Sequence, residues 1–270
     1  MATKRQARAM KTLKKAKKQR GKYPLLLEKV IDVSDIILEV LDARFAREMQ
    51  NKKIAKMVRD KGKKIIYVLN KSDLTRKREL GLNPKVFVSC KNRKGISELR
   101  EKIKVEAAKI LREGEFKRVH VGVIGQPNSG KSSLINLLIG KASAKTGAEA
   151  GFTKGIQKLR LSEDILLLDS PGVIPIDDYS MTSEKKIALQ VKVGGRSYSQ
   201  VKNPEVALNE IVKGNKKGFG VFYKIKFSDA EDLIEKIGEK KGFLQKGGEV
   251  DFDRTARLIL KDWQLGNIKV

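Results

Sequence analysis

The chain is poor in the features that would place it outside a cell or across a membrane. Its one cysteine, Cys90, has no partner within the sequence, so no disulfide closes the fold and a reducing, intracellular setting is expected. No apolar run reaches the length of a membrane span, and the N-terminus is too basic and too poor in apolar residues for a secretory signal. These shortages predict a soluble, cytoplasmic protein with no membrane partner. Acids are scarce too: 32 of them stand against 59 lysines and arginines, a formal charge of +27. A lysine- and glutamate-rich surface alone would serve solubility or heat resistance, but so large an excess repels itself and favours a polyanion, nucleic acid above all.

At 270 residues the chain can bury one sizeable α/β core and a smaller unit. Residues 1–22 contain ten lysines and arginines and no acid, so they read as a basic arm that orders on a phosphate backbone. Residues 23–179 alternate strand and helix. The spacing predicts a helix through Leu25–Ile31, strands at Ile36–Leu41, Ile65–Leu69 and Val86–Val88, and helices over about Lys52–Lys61 and Ser97–Leu111. A strand at Val119–Ile124, a helix through Leu134–Ile139 and a hairpin of Ile156–Leu161 with Ile165–Leu168 follow. Such alternation predicts an α/β, doubly wound, mostly parallel sheet whose ligands bind beyond the carboxyl ends of the strands. Residues 180–270 read as a small, separate helical domain, with helices near Pro204–Val212, Ala230–Ile237 and Phe252–Leu265.

The densest chemistry lies at Gly125–Ser133, GQPNSGKSS, which fits G-x-x-x-x-G-K-[ST] between a strand and a helix. Backbone N–H groups of such a loop cradle phosphates, and Gly125 and Gly130 let the backbone turn and approach closely. Lys131 is expected along the β- and γ-phosphates and the Ser132 hydroxyl on magnesium, with Asn128, Ser129 and Ser133 completing the cradle. The strand 65–69 runs into Asn70-Lys71-Ser72-Asp73, the N-K-x-D pattern. An aspartate there accepts from the N1–H and 2-amino groups of guanine, donors that adenine lacks, and the asparagine amide is expected at the other edge of the base. Ser89-Cys90-Lys91 resembles the S-A-K motif of GTPases, in which the middle N–H meets the guanine O6. Asp169-Ser170-Pro171-Gly172 fits D-x-x-G: Asp169 would hold a magnesium-bound water and the Gly172 N–H the γ-phosphate. Thr153 is the expected magnesium-binding threonine of the first switch, with Thr146 a weaker candidate. GTP or GDP and Mg²⁺ are thus the expected ligands.

The order of these motifs is unusual, because the guanine tetrad and Ser89-Cys90-Lys91 precede the phosphate loop. With that order the chain resembles the circularly permuted P-loop GTPases of ribosome assembly, the YlqF/YawG group with its RbgA-like and nucleostemin-like members. The resemblance runs from Tyr23 to about Pro175 through the five nucleotide motifs, includes Asp42-Ala43-Arg44, and extends through Lys246–Glu249, Asp253–Arg257 and Asp262–Gln264. It implies a monomeric, GTP-hydrolysing switch that docks on ribosomal RNA of a subunit, usually the large one. A scaffold that binds GTP without turnover, or a switch on another RNA, are the rival readings.

The chain also departs from part of that group. It lacks the histidine-bearing N-terminal segment of some members, and His120, about 16 Å upstream of the phosphate end of its strand at ~3.3 Å per residue, reads as a core or edge residue. Val173 stands where Ras-like proteins carry the water-positioning glutamine, which implies slow intrinsic hydrolysis. Asn128 occupies a position that is asparagine in cation-dependent GTPases, so K⁺ is expected beside it. In the last helix Arg254, Arg257 and Lys261 share a basic face, with Phe252, Ala256, Ile259 and Trp263 toward the core.

Overall fold

The β-branched runs of the sequence become the strands of one six-stranded sheet in a computed structural model, which describes residues 22–75, 80–113, 118–140, 157–169 and 184–269. Helix α1 (Lys22–Val33) leads into β1 (Ile36–Asp42), the short α2 (Ala46–Met49), α3 (Lys52–Asp60), β2 (Lys64–Asn70), β3 (Lys85–Phe87) and α4 (Ile96–Arg112). Then come β4 (Val119–Ile124), α5 (Lys131–Ile139), β5 (Gln157–Arg160) and β6 (Ile165–Asp169). Four helices complete the described chain: α6 (Glu184–Lys192), α7 (Pro204–Tyr223), α8 (Ala230–Lys241) and α9 (Phe252–Leu265). The strand order is β3-β2-β1-β4-β6-β5, with every neighbouring pair parallel except β5 against β6. Parallel strands present their carboxyl ends at one edge, so Asp42, Asn70, the loop after Ile124 and Asp169 all arrive there.

Both faces of the sheet are covered, as the almost unbroken apolar strands require. Alternation along β1 and β2 sends Ile36, Leu38, Val40, Ile66 and Val68 toward α4 and α5, where Leu99, Ile103, Leu134 and Leu138 meet them. On the opposite face Ile37 packs with Val30 and Ile31 of α1 and Val58 of α3. Leu41, Tyr67 and Leu69 share that face with residues of α6 to α9. Trp263 of α9 is buried at the centre of this cluster, stacked on Phe219 at 5.5 Å and tilted against Phe45 at 5.7 Å. The C-terminal helices therefore share one apolar core with the sheet's second face.

Local chemistry sets the helix ends. Asn51 caps α3 by accepting from the Lys53 and Ile54 N–H groups, and Asp229 and Asp251 cap α8 and α9. Three helical features depart from the sequence reading, the first being the short α2, which the apolar spacing did not predict. Residues 184–192 form α6, and α7 continues beyond Val212 through Gly214 and Gly218, with a kink at Asn215 (φ −148°, ψ 37°). The Asn215 amide donates to the Lys269 carbonyl at 2.9 Å, giving the break in the helical ladder a tertiary partner.

Candidate nucleotide-binding site

The loop between β4 and α5 crosses the edge at which the other strands end. Gly125 (φ +149°) is packed so closely on β1 that a Cβ there would lie 2.4 Å from the Val40 carbonyl oxygen. Gly130 (φ +96°) caps α5 without a side chain, and a Cβ there would meet Asn70 Nδ2 at 2.2 Å. These two contacts, rather than flexibility in general, require glycine. The first-turn N–H groups of α5 are thereby left to face an anion.

Asn70 is the joint between the two halves of the site. Its Nδ2 donates to the Ser129 carbonyl at 2.9 Å, and its Oδ1 accepts from the Cys90 N–H at 3.2 Å. Each end of the amide makes one contact inside the protein and has the capacity for a second. It lines the cleft while fixing the phosphate loop to the Ser89-Cys90-Lys91 turn. Lys71 adopts a left-handed backbone (φ +58°), and Asp73 accepts a hydrogen bond from the Ser89 hydroxyl. Ser89 Oγ itself accepts from the Asn92 N–H at 3.1 Å. Burial pushes the Cys90 thiol up to about 11, as suits a packed residue without redox chemistry.

Lys131 is buried, and its ammonium donates to the carbonyls of Gly125 (3.1 Å) and Gln126 (3.0 Å). Desolvation pulls its pKa down to about 8 against the opposing pull of Asp169. Asp169, buried at the end of β6, is pushed up to about 6 by desolvation, and its Oδ1 has no hydrogen-bond partner among the described residues. A buried carboxylate oxygen left open beside a phosphate loop, with the Ser132 hydroxyl on the first turn of α5, is a donor set that fits a hard divalent cation. Asn128 (φ +59°) donates through Nδ2 to the Gly194 carbonyl at 3.0 Å, tying the loop to the turn after α6. Its side-chain oxygen is the end left to act as an acceptor. Thr153, Thr146, Gly172 and Val173 lie outside the described residues.

A cleft of about 400 Å³ is lined by Asn70, Lys71, Asp73, Cys90 and Lys91 and by Asn128, Gly130 and Ser133 of the phosphate loop and α5. Sequence reasoning did not anticipate the cleft's other lining residues: Tyr198, from the turn between α6 and α7, and Gln264, Leu265 and Gly266 at the end of α9. Nor did it give Asp42-Ala43-Arg44 a task. Arg44 binds the Asp42 carboxylate with Nε and Nη2 at 3.0 and 2.8 Å, donates through Nη1 to the Trp263 carbonyl at 3.2 Å, and lies over the rings of Phe45 and Trp263. Lys71 Nζ approaches the same carboxylate at 3.1 Å. Burial alone would raise the Asp42 pKa, but Lys71 and Arg44 hold it below the usual carboxylate range. An invariantly charged fork beside the end of β1 was the only sequence signal for this strut.

Elsewhere the basic side chains of α9 are partly spoken for. Arg257 pairs with Asp253 and donates to the Tyr198 carbonyl, and Arg254 stacks on Phe243 at 3.9 Å. His120 is a partly buried strand residue 3.9 Å from Asp35. Among the described residues no cluster of histidine, cysteine or acidic side chains forms a metal site, and no helix is long and apolar enough to cross a membrane.

A family model described as a 50S ribosome-binding GTPase matches residues 120–218. That span starts on β4, so it omits the guanine tetrad standing ahead of it. A GTP-binding protein of Methanocaldococcus jannaschii is 41% identical over 255 residues, 90% of this chain and 65% of that one. Nucleolar GTP-binding protein 2 of Saccharomyces cerevisiae is 32% identical over 262 residues, 90% of this chain and 51% of that one. The chain thus spans about half to two thirds of the length of these relatives. Among solved structures, GNP-bound YlqF from T. maritima superposes with a TM-score of 0.62 at 22% identity, covering 94% of this chain and 97% of that one. The mostly parallel sheet is that of YlqF, the relatives are GTP-binding proteins, and the guanine tetrad precedes the phosphate loop. The chain is thus similar in sequence to nucleostemin-like and other GTP-binding proteins, matches a GTPase family model over residues 120–218, and shares the fold of YlqF.

Proposed function

We propose that the protein is a GTP-hydrolysing switch that docks on the RNA of a ribosomal subunit, the large one, during its assembly. One observation carries this reading: the guanine tetrad, the phosphate loop and the C-terminal helices meet at a single cleft, so what fills the cleft touches the segment that would move. The net charge of +27 and the ten basic residues of the arm supply the attraction for an RNA backbone. The matching family model's description and the nucleolar relatives support a ribosomal partner.

In this mechanism Asp73, held by the Ser89 hydroxyl, accepts from the guanine N1–H and 2-amino groups while the Cys90 and Lys91 backbone borders O6. Lys131 exchanges its two loop carbonyls for β- and γ-phosphate oxygens, and the N–H groups of Ser129 to Ser133 complete the cradle. Ser132, Asp169 and Thr153 would hold Mg²⁺, which when bound supplies positive charge against the phosphate oxygens. Gly172 is the residue assigned to sensing the γ-phosphate. Val173 offers no polar group to orient the attacking water, so hydrolysis is slow alone and is accelerated by the subunit. The Asn128 side-chain oxygen is assigned to K⁺, whose charge would offset that developing on the transferred phosphoryl group.

Single-turnover hydrolysis with and without purified subunits tests the switch, and crosslinking followed by sequencing of the bound RNA tests the partner. Turnover unaffected by subunits, or crosslinks confined to tRNA or mRNA, would overturn the reading. For the monovalent ion, rates in matched K⁺ and Na⁺ buffers are expected to differ in the wild type and to converge in Asn128→Ala. A potassium effect that survives the substitution removes Asn128 from that role.

A further inference from the structure

We infer that Leu265, with Tyr198 beside it, is a direct contact of the bound nucleotide's base and ribose, making the end of α9 one wall of the nucleotide site. The inference rests on the cleft being that site, and goes beyond it by assigning a nucleotide-binding task to the C-terminal helices. Three observations lead to it.

The first is position. Leu265 and Tyr198 line the same cleft as Asn70, Lys71 and Asp73. The turn that carries Asp73 is packed directly on the end of α9: Gly266 (φ +77°) sits so close to Leu74 that a Cβ would lie 2.4 Å from Leu74 Cδ1. The second is exposure. Leu265 is 56% exposed although Ile259, Leu260 and Trp263 of the same helix are buried. A leucine left open at the mouth of a cleft whose other side is polar presents an apolar surface to a flat ring, and Tyr198 is the one aromatic residue among those lining it. The third is stiffness. Gln264 Nε2 donates to the carbonyls of Val191 (2.9 Å) and Arg196 (2.8 Å), and its Oε1 accepts from the Tyr198 N–H at 3.2 Å. The Asn267 amide donates to Asp262, and the Gly266 N–H closes the helix on the Trp263 carbonyl. A wall fixed this thoroughly loses little freedom when a ligand rests on it.

The full-length protein tests this with Leu265→Ala and, in parallel, Asp73→Asn, by titration with GDP and a non-hydrolysable GTP analogue. Losing the leucine's apolar contact should weaken both ligands about three- to tenfold and by the same factor, because the wall faces base and ribose and not the γ-phosphate. Thermal unfolding without nucleotide should match the wild type, since the residue is over half exposed. Wild-type affinity in Leu265→Ala with loss of GDP in Asp73→Asn overturns the wall and leaves the site standing. Weakening confined to the GTP analogue overturns it too. If neither variant changes binding, the assignment of the cleft itself falls.

Discussion

At the scale of single residues, the phosphate loop and the guanine tetrad were legible because backbone geometry dictates their residue types. Gly125 and Gly130 have no room for a Cβ, and the carboxylate of Asp73 is the acceptor proposed for guanine. Asp73→Asn should therefore lose GTP affinity by about a hundredfold, from a few kcal/mol of lost pairing, and gain affinity for xanthine nucleotides, measurable by competition with a fluorescent GDP. Not legible was how the Lys131 side chain is held. Lys131 folds onto two carbonyls in a buried site, where desolvation holds its pKa at about 8 against 10.5 for the free side chain. The folded, nucleotide-free protein thus binds fewer protons than the unfolded chain between about pH 8 and 10.5, and this group's contribution to stability rises with pH across that window. Asp169 acts oppositely: its pKa near 6, raised from 3.8, makes its contribution fall as pH rises through that interval. Phosphate should restore the charge on Lys131, so GDP binding should take up a proton above pH 8 and weaken by up to about tenfold per unit as pH rises further. Calorimetry at pH 7 and 9 in buffers of different ionisation enthalpy measures it. Equal proton uptake at the two values would show that Lys131 is already charged.

At the scale of elements, the strands and helices as far as β6, α2 apart, fall within three residues of the ends read from the sequence, since their apolar spacing follows the sheet and its two covered faces. Beyond β6 the pattern misleads. The glycine-rich stretch after Val212 reads as a turn between helices, yet α7 runs through it to Tyr223, because Asn215 finds a tertiary acceptor and Phe219 is buried against Trp263. Such a gain comes from the other end of the chain and leaves no local signature. The link between β1 and α9 is of the same kind. Arg44 joins the Asp42 carboxylate to the Trp263 carbonyl, while Lys71 shares that carboxylate. Arg44→Ala should destabilise the protein by about 3 kcal/mol, because Asp42 stays buried with only one cationic partner. Arg44→Lys should recover less than half of that, since an ammonium cannot make the forked contact. Urea unfolding compares the three. A loss below about 1 kcal/mol in the alanine variant would make the strut incidental.

At the scale of the whole molecule, charge and chain order matter together. If the arm holds RNA, binding should weaken with salt with a slope of about −0.9 per phosphate neutralised on a duplex. Deleting residues 1–22 removes ten basic residues and should flatten that slope, measured by filter binding over a salt series; an unchanged slope would leave the arm a bystander. The chain order has its own effect through the packing of Trp263 between Phe45 and Phe219. Phe45 is made early in the described chain, whereas α9 is made after every other described element. Contacts so distant in sequence close late, because the intervening loop must be closed before they form. On a translating ribosome the guanine tetrad and the phosphate loop would emerge while the apolar face around Leu41 and Phe45 still waited for its cover. A nascent chain halted before α9 would thus carry the nucleotide motifs on an unfinished fold.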